Sequence, residues 1–89
     1  MVVEFDKSFE KSLLKLKDKS LYSKIEKVIS ILEKSNSLND VSNIKKLSGF
    51  KTYYRCRLGD YRIGIEQISA STIRFIIIAH RKEVYNVFP

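Results

Sequence analysis

The arginines of this 89-residue chain are confined to its C-terminal part, whereas lysines dominate the N-terminal part. Eleven of the twelve lysines lie at or before Lys51, and the five arginines all follow it, as Arg55, Arg57, Arg62, Arg74 and Arg81. A lysine ammonium is a strongly hydrated point charge that suits an exposed helix surface, whereas the planar guanidinium of arginine binds phosphate oxygens through paired hydrogen bonds. The arginines therefore predict a site for a phosphate-bearing ligand in the C-terminal part.

A β-hairpin is expected to carry three of these arginines. Segments 52–58 and 61–68 are rich in β-branched and aromatic residues, and only Gly59 and Asp60 separate them. Two residues of this type favour a tight turn, and a tight turn fixes which residues face each other across the two strands. The predicted partners are Leu58 with Tyr61, Arg57 with Arg62, Cys56 with Ile63, and Arg55 with Gly64.

One face of this hairpin is apolar and should pack on the core, and the other is basic. The basic face carries Arg55, Arg57 and Arg62 around Gly64, with Tyr53 and Glu66 farther along the strands. Two arginines directly opposite each other repel, at a cost of about 0.2 to 1 kcal/mol for a cross-strand pair. Three guanidinium groups around a residue without a side chain suit a phosphodiester backbone. The alternative is an exposed strand face that carries arginines without any ligand.

The remaining segments predict the elements that hold this hairpin. Residues 2–5 form a short first strand, and Asp6 is placed to cap an amphipathic helix; Ser20 is placed to cap a second helix with apolar residues at helical spacing. Segment 72–79 is almost continuously apolar, as expected for a central strand covered on both faces. We therefore predict a single α+β domain over residues 1–89, with an N-terminal strand, an αα-hairpin and a three-stranded antiparallel meander, and with the helices on one face of one small twisted sheet.

Composition excludes several classes of protein. A lone Cys56 and a lone His80 leave no metal-ligand cluster and no internal disulfide, so we expect no metal, no cofactor and a reducing cytoplasmic location. The N-terminal segment lacks the apolar core of a signal peptide, and no apolar run is long enough to cross a membrane. The net charge of +7 suggests a polyanionic partner such as nucleic acid or an acidic protein.

Three motifs give the chain a family resemblance that covers nearly its whole length. The lead-in KKLSG, the hairpin RLGDYRIGIE and the closing AHRKEVY together resemble the RelE/ParE toxin superfamily of type II toxin–antitoxin systems, and in particular its RelE-like branch. The resemblance implies a toxin that inhibits translation by cutting mRNA in the ribosomal A site. In that branch the chemistry needs no metal ion and consists of attack by a ribose 2′-hydroxyl on the adjacent phosphate.

The resemblance also implies roles for individual residues. Arg55 and Arg57 match the two basic positions on the strand before the hairpin turn, and Arg62 matches the arginine after the hairpin tyrosine. Arg81 matches the arginine after the last strand, and Tyr85 matches the C-terminal tyrosine. Preorganised cations can stabilise the extra charge on a pentacoordinate phosphate, and an aromatic ring can stack on an unpaired base. These five residues belong to the expected catalytic set, whose sixth member is His80.

This chain departs from the family pattern at the general base. Well-studied members have lysine at the two strand positions, whereas Arg55 and Arg57 are poor proton acceptors. The candidates of suitable pKa are His80, expected as a catalytic acid or base, and Glu66; a packed or capping role for His80 is the alternative. Glu66, Tyr53 and Lys51 are the expected substrate-binding residues.

Two further functions stay open on the same fold. One is inhibition of DNA gyrase, as in the ParE-like branch, although the HRKEVY ending argues against it. The other is RNA binding by a homologue that has lost catalysis. For the ribonuclease the expected partner is mRNA on the ribosome, with its rRNA phosphates. In every case we expect a cognate acidic antitoxin that covers or distorts the basic face.

Overall fold

The chain folds into one mixed sheet of five strands with three α-helices. The computed structural model describes residues 1–89. The elements in chain order are β1 (Val2–Phe5), α1 (Lys7–Leu16), α2 (Lys19–Lys34), a 3-10 turn (Leu38–Asp40), β2 (Ile44–Lys46), β3 (Tyr53–Leu58), β4 (Tyr61–Gln67), β5 (Thr72–His80) and α3 (Val84–Val87). The strand order is β1-β5-β4-β3-β2, with β1 parallel to β5 and all other neighbours antiparallel. The predicted α+β class and the β3-β4-β5 meander are confirmed.

Two elements of the structure were not predicted. Strand β2 adds an edge strand beside β3, and it has only three residues, too few to show a strand period in the sequence. Helix α3 was not predicted, and it contacts β4 and β5 from the side opposite α1 and α2, the two predicted helices, which lie together on one face of the sheet. The reason is that this part of the sheet is apolar on both faces, and the second face also needs cover.

The two long helices begin at aspartates. Asp6 caps α1, because its carboxylate accepts a hydrogen bond from the Ser8 amide at 3.0 Å, as predicted. The prediction that Ser20 caps α2 is wrong. The cap is Asp18, whose carboxylate accepts from the amide and the hydroxyl of Ser20. Lys17, with φ of +50°, forms the sharp link between the helices and places Asp18 before the first turn.

The hydrophobic core lies between the helix pair and one face of the sheet. Buried residues of α2 at helical spacing meet buried residues of β3, β4 and β5, and Phe9 of α1 packs edge-on against Phe75 of β5. No polar or charged side chain is buried. Each helix is too short or too polar to span a lipid bilayer. The core uses one face of the sheet, and the arginines lie on the other face, where a functional site is therefore expected.

Helix α1 also covers the exposed edge of β5 beyond the end of β1. The Ser12 hydroxyl oxygen accepts a hydrogen bond from the Ile78 amide at 3.0 Å, and the Ser8 hydroxyl donates to the Ile76 carbonyl. Backbone groups that have no strand partner are thereby paired, as an edge requires. These contacts fix the end of β5, from which the segment that carries Arg81 and Tyr85 departs.

Candidate functional site

Arg57 and Arg62 face each other across the β3–β4 hairpin. The register is the predicted one, with Leu58 opposite Tyr61, Arg57 opposite Arg62 and Arg55 opposite Gly64. Gly59 adopts φ of +61°, the conformation that a primed two-residue turn needs at its first position. Three arginines therefore lie on the face of the hairpin that points away from the helix pair.

The Arg62 guanidinium is held at the hairpin turn by backbone carbonyls. Its Nη1 donates to the carbonyl oxygens of Gly59 at 2.7 Å and Tyr61 at 2.8 Å. These bonds fix the side chain and leave its other N–H donors free for a ligand.

The surroundings of Arg62 disfavour its charge. Partial burial lowers the pKa of Arg62, and the nearby charges of Arg57, Arg55 and Arg81 lower it further, whereas Tyr85 acts in the opposite direction. An arginine remains protonated at neutral pH even so. Arg62 is thus a fixed cation in a region of uncompensated positive charge, where an anion is favoured.

Arg81 and Tyr85 come to the same end of the hairpin from the segment after β5. The Arg81 amide donates to the Asp60 carbonyl at 2.8 Å, so this segment is tied to the turn that holds Arg62. Tyr85 lies on α3 with 56% of its surface exposed. The structure therefore brings together five of the six residues of the expected catalytic set, from β3, β4, the turn after β5 and α3. His80 is not among these five.

The arginines of this set have no acidic partner. The single salt bridge of the protein joins Arg74 to Glu4 at 3.1 Å, at the other end of the basic face. Opposed arginines without a carboxylate cost stability, and an anionic ligand would relieve that cost.

Gly64 is not open to a ligand, contrary to the expectation from the sequence. It is buried beneath the ring of Phe88, and a Cβ atom at this position would lie 2.6 Å from the ring. Phe88 itself is 3% exposed. The space above Gly64 is filled by this aromatic side chain, so the arginines do not converge around the glycine.

Of the three expected substrate-binding residues, none lies with Arg62. Tyr53 packs edge-on against Phe88 with ring centroids 5.5 Å apart, within an aromatic cluster. Glu66 lies opposite Tyr53 and Arg74, on the far side of Phe88 from the hairpin turn. Lys51 lies in the exposed loop before β3.

His80 lies on the other face of the sheet from the arginines. It pairs with Tyr61 in the register of β4 and β5, whereas Ala79 pairs with Arg62. Its ring packs edge-on against Tyr61 at 5.8 Å, and its Nδ1 accepts a hydrogen bond from the Lys82 amide at 3.2 Å. The alternative of a packed, capping histidine describes this position.

A polar hollow lies beside β2, and the sequence did not predict it. Its volume is about 210 Å³, and its lining is entirely polar: Ser42, Asn43, Lys45, Arg55 and Arg57. Lys45 lies directly opposite Arg55, next to the edge of the arginine set. The signal in the sequence was weak, because Ile44 and Lys45 show only a single step of apolar and polar alternation.

Cys56 and the acidic residues supply no further chemistry at this site. Cys56 is buried on the core face, and burial raises the pKa of its thiol to about 12. No group of three or more histidines, cysteines and acidic residues lies close enough together to hold a metal ion. The chemically capable groups of this face are therefore its guanidinium groups, Lys45 and the tyrosines.

Comparison with known proteins connects this geometry to a family. A family model described as the ParE toxin of the type II toxin–antitoxin system parDE matches residues 3–85. Toxin RelE3 of Methanocaldococcus jannaschii is 44% identical over 90 residues, with full coverage of both chains.

Solved structures agree with this relationship. The toxin of the RelB–RelE antitoxin–toxin complex from Methanococcus jannaschii is 42% identical and superposes with a TM-score of 0.77, over 97% of this chain and 99% of that one. The RelE–RelB complex of Pyrococcus horikoshii gives 26% identity and a TM-score of 0.71, over 93% of this chain and 97% of that one. The DinJ–YafQ complex of E. coli supports the fold alone. It gives 16% identity and a TM-score of 0.69, over 93% of this chain and 96% of that one. The chain belongs to the RelE/ParE family of toxins of type II toxin–antitoxin systems.

Proposed function

We propose that this toxin inhibits translation by cutting mRNA on the ribosome. The observation that carries the proposal is the meeting of Arg57, Arg62, Arg81 and Tyr85 at the hairpin turn without any carboxylate in salt-bridge contact. Such a cluster of cations beside an exposed aromatic ring suits a single RNA strand, whose phosphates need cations and whose bases can stack. A ribosomal target places the protein in the cytoplasm.

The proposed reaction is an internal phosphoryl transfer. The ribose 2′-oxygen forms a bond to the adjacent phosphorus while the bond from phosphorus to the 5′-oxygen breaks, which leaves a 2′,3′-cyclic phosphate and a free 5′-hydroxyl. The phosphorane-like transition state carries more negative charge than the diester. Arg62, which backbone carbonyls hold at the turn, and Arg57 opposite it stabilise that charge in the role that a metal ion has in other nucleases. Tyr85 stacks on the base that has left its helix.

A side-chain general base is not part of this proposal. His80 lies on the opposite face of the sheet from the arginines, Glu66 lies away from the hairpin turn, and the arginines stay protonated. The proton of the 2′-hydroxyl passes to water, and water protonates the departing 5′-oxygen. The rate enhancement comes from charge stabilisation and from orientation of the strand. Arg55 contributes to the electrostatic field from β3, and Arg81 contributes from the turn after β5.

The proposed protein partner is an acidic antitoxin. Two relatives of at least 26% identity were solved in complexes with RelB. The net charge of +7 and the basic hairpin face favour an acidic partner in this protein as well. Co-expression with the product of an adjacent short acidic gene should give a complex that survives purification. A toxin that remains free, or a complex that cuts mRNA as fast as the free toxin, would contradict this assignment.

The experiment that tests the proposed function is controlled expression in cells, with primer extension on an abundant mRNA. The native chain should arrest growth and produce cuts within translated codons, and Arg62→Ala together with Arg81→Ala should abolish both effects. Growth arrest without mRNA cuts would overturn the proposal. RNA binding without turnover would identify a catalytically inactive homologue.

A second candidate is inhibition of DNA gyrase, because the family model that matches the chain is the one for ParE toxins. In that case the basic face contacts a protein or DNA and performs no chemistry. The same expression experiment separates the two functions. Trapped gyrase–DNA cleavage complexes with intact mRNA would support gyrase inhibition and exclude the ribonuclease.

A further inference from the structure

The polar hollow beside β2 has the composition of an anion-binding pocket. Its volume is about 210 Å³, and no apolar or acidic residue lines it. Three of its five lining residues are cations, namely Lys45, Arg55 and Arg57, and none of them forms a salt bridge. Lys45 and Arg55 lie directly opposite each other, an arrangement of like charges that is unfavourable unless an anion lies between them.

Hydrogen bonds hold the walls of this hollow in place. The Asn43 carbonyl accepts from the Arg57 amide at 2.9 Å and from Nη1 of Arg55 at 3.5 Å. The Asn43 side-chain amide donates to the Arg57 carbonyl at 3.0 Å. The backbone that precedes β2 is thus tied to β3, and the pocket exists before any ligand arrives. A preformed site loses little conformational entropy on binding.

The hollow shares two residues with the expected catalytic set but is not lined by the residues at the hairpin turn. Arg55 and Arg57 belong to both, whereas Arg62, Arg81 and Tyr85 do not line the hollow. A phosphate in the hollow is therefore a different one from the phosphate that meets Arg62. An RNA strand supplies such phosphates at regular intervals, and contacts to non-reacting phosphates fix its register.

We propose that Ser42, Asn43, Lys45, Arg55 and Arg57 bind a second, non-reacting phosphate of the RNA strand whose scissile phosphate lies at Arg57 and Arg62. This inference rests on the proposed function, because it takes RNA as the ligand. Lys45 is the residue that distinguishes the second phosphate from the first, since it lines the hollow and does not belong to the catalytic set.

The first test measures binding of a short oligoribonucleotide, made uncleavable by 2′-O-methylation, at several salt concentrations. Lys45→Ala should weaken binding and reduce the slope of log K against log salt concentration by about 0.7, the value for loss of one single-strand phosphate contact. The matched control is Lys46→Ala, which removes the same charge from the next residue of β2. Lys46 does not line the hollow, so its loss should change the slope much less. Equal slopes for the two variants would overturn the inference.

A second measurement needs no RNA and separates this inference from the proposed function. Titration of the ¹⁵N-labelled chain with inorganic phosphate should shift the amide resonances of residues 42–45, and Lys45→Ala should abolish that response. Phosphate binding at the hollow without RNA cleavage in cells would leave the pocket intact and refute the ribonuclease. RNA cleavage with no response at residues 42–45, and equal salt slopes for the two lysine variants, would refute the pocket alone.

Discussion

The ring of Phe88 lies over Gly64, so close that a Cβ atom on the glycine would be 2.6 Å from it. Phe88 thus packs onto β4, the central strand of the sheet, and covers one side of the basic face. At the hairpin turn, the Arg62 side chain and the Arg81 amide are both tied to carbonyls of residues 59 to 61.

Gly64→Ala should destabilise the protein by about 1 to 3 kcal/mol, because the added methyl group must displace the Phe88 ring. The backbone at Gly64 is outside the left-handed region, so strain in the main chain does not contribute. Urea unfolding of Gly64→Ala in the native and the Phe88→Ala backgrounds measures the coupling. The added methyl group should lower the free energy of unfolding much less when the Phe88 ring is absent. An equal cost in both backgrounds would show that the ring is not what the methyl group meets.

The Cys56 thiol should be inert in the folded protein. Burial raises its pKa to about 12, so the reactive thiolate is scarce at pH 8, and the side chain is inaccessible as well. Reaction with a thiol reagent should be slow in buffer and fast in urea. Because the folded pKa is above the unfolded one, this thiol contributes stability below about pH 8.5 that is lost as the pH rises toward 12. Fast labelling of the native chain would contradict its burial.

The N-cap of α2 provides a test of Asp18 against Ser20. Hydrogen bonds from the Ser20 hydroxyl and amide lower the pKa of the Asp18 carboxyl. Its stabilisation is therefore complete above the unfolded pKa of about 3.9 and is lost as the pH falls through the lower folded value. Asp18→Ala should lower the urea midpoint at pH 7 more than Ser20→Ala does, and Asp18→Asn should retain most of the midpoint because asparagine also caps helices. A larger loss for Ser20→Ala would contradict the observed cap.

His80→Ala should leave mRNA cleavage within a few-fold of the native rate. The histidine packs against Tyr61 on the face opposite the arginines, so its removal affects stability more than chemistry. For the same reason the native chain and His80→Ala should show the same pH dependence of the cleavage rate. Primer-extension yields from ribosomes with each variant give the comparison. A loss comparable to that of an arginine variant would return His80 to the catalytic set.

The hairpin was predictable because its register depends on local chemistry. Gly59 and Asp60 determine the turn, and the turn determines that Arg57 faces Arg62. The cover over Gly64 was not predictable, because Phe88 lies 24 residues away in a segment without any period, and only the folded chain brings it back. The position of His80 depends on the register between β4 and β5, which a bulge between Gly64 and Ile65 interrupts.

Strand β2 and the N-cap of α2 show two further limits of structure prediction from the sequence. Three residues are too few to display alternation, so the pocket that includes Lys45 could not be located before β2 was known. Asp18 and Ser20 are both good caps two positions apart, and local preference does not choose between them. The choice depends on the backbone of Lys17, whose left-handed conformation sets where the helix begins.

The central claim is that the unpaired arginines at the hairpin turn act on the scissile phosphate. The most direct test is the single-turnover rate of mRNA cleavage on programmed ribosomes for Arg62→Ala and for Arg74→Ala, an arginine of the same sheet that is already neutralised by Glu4. We predict a loss of about 10²-fold or more for Arg62→Ala, as for removal of a preorganised transition-state contact, and a change of no more than a few-fold for Arg74→Ala. Equal rates for the two variants would contradict the claim.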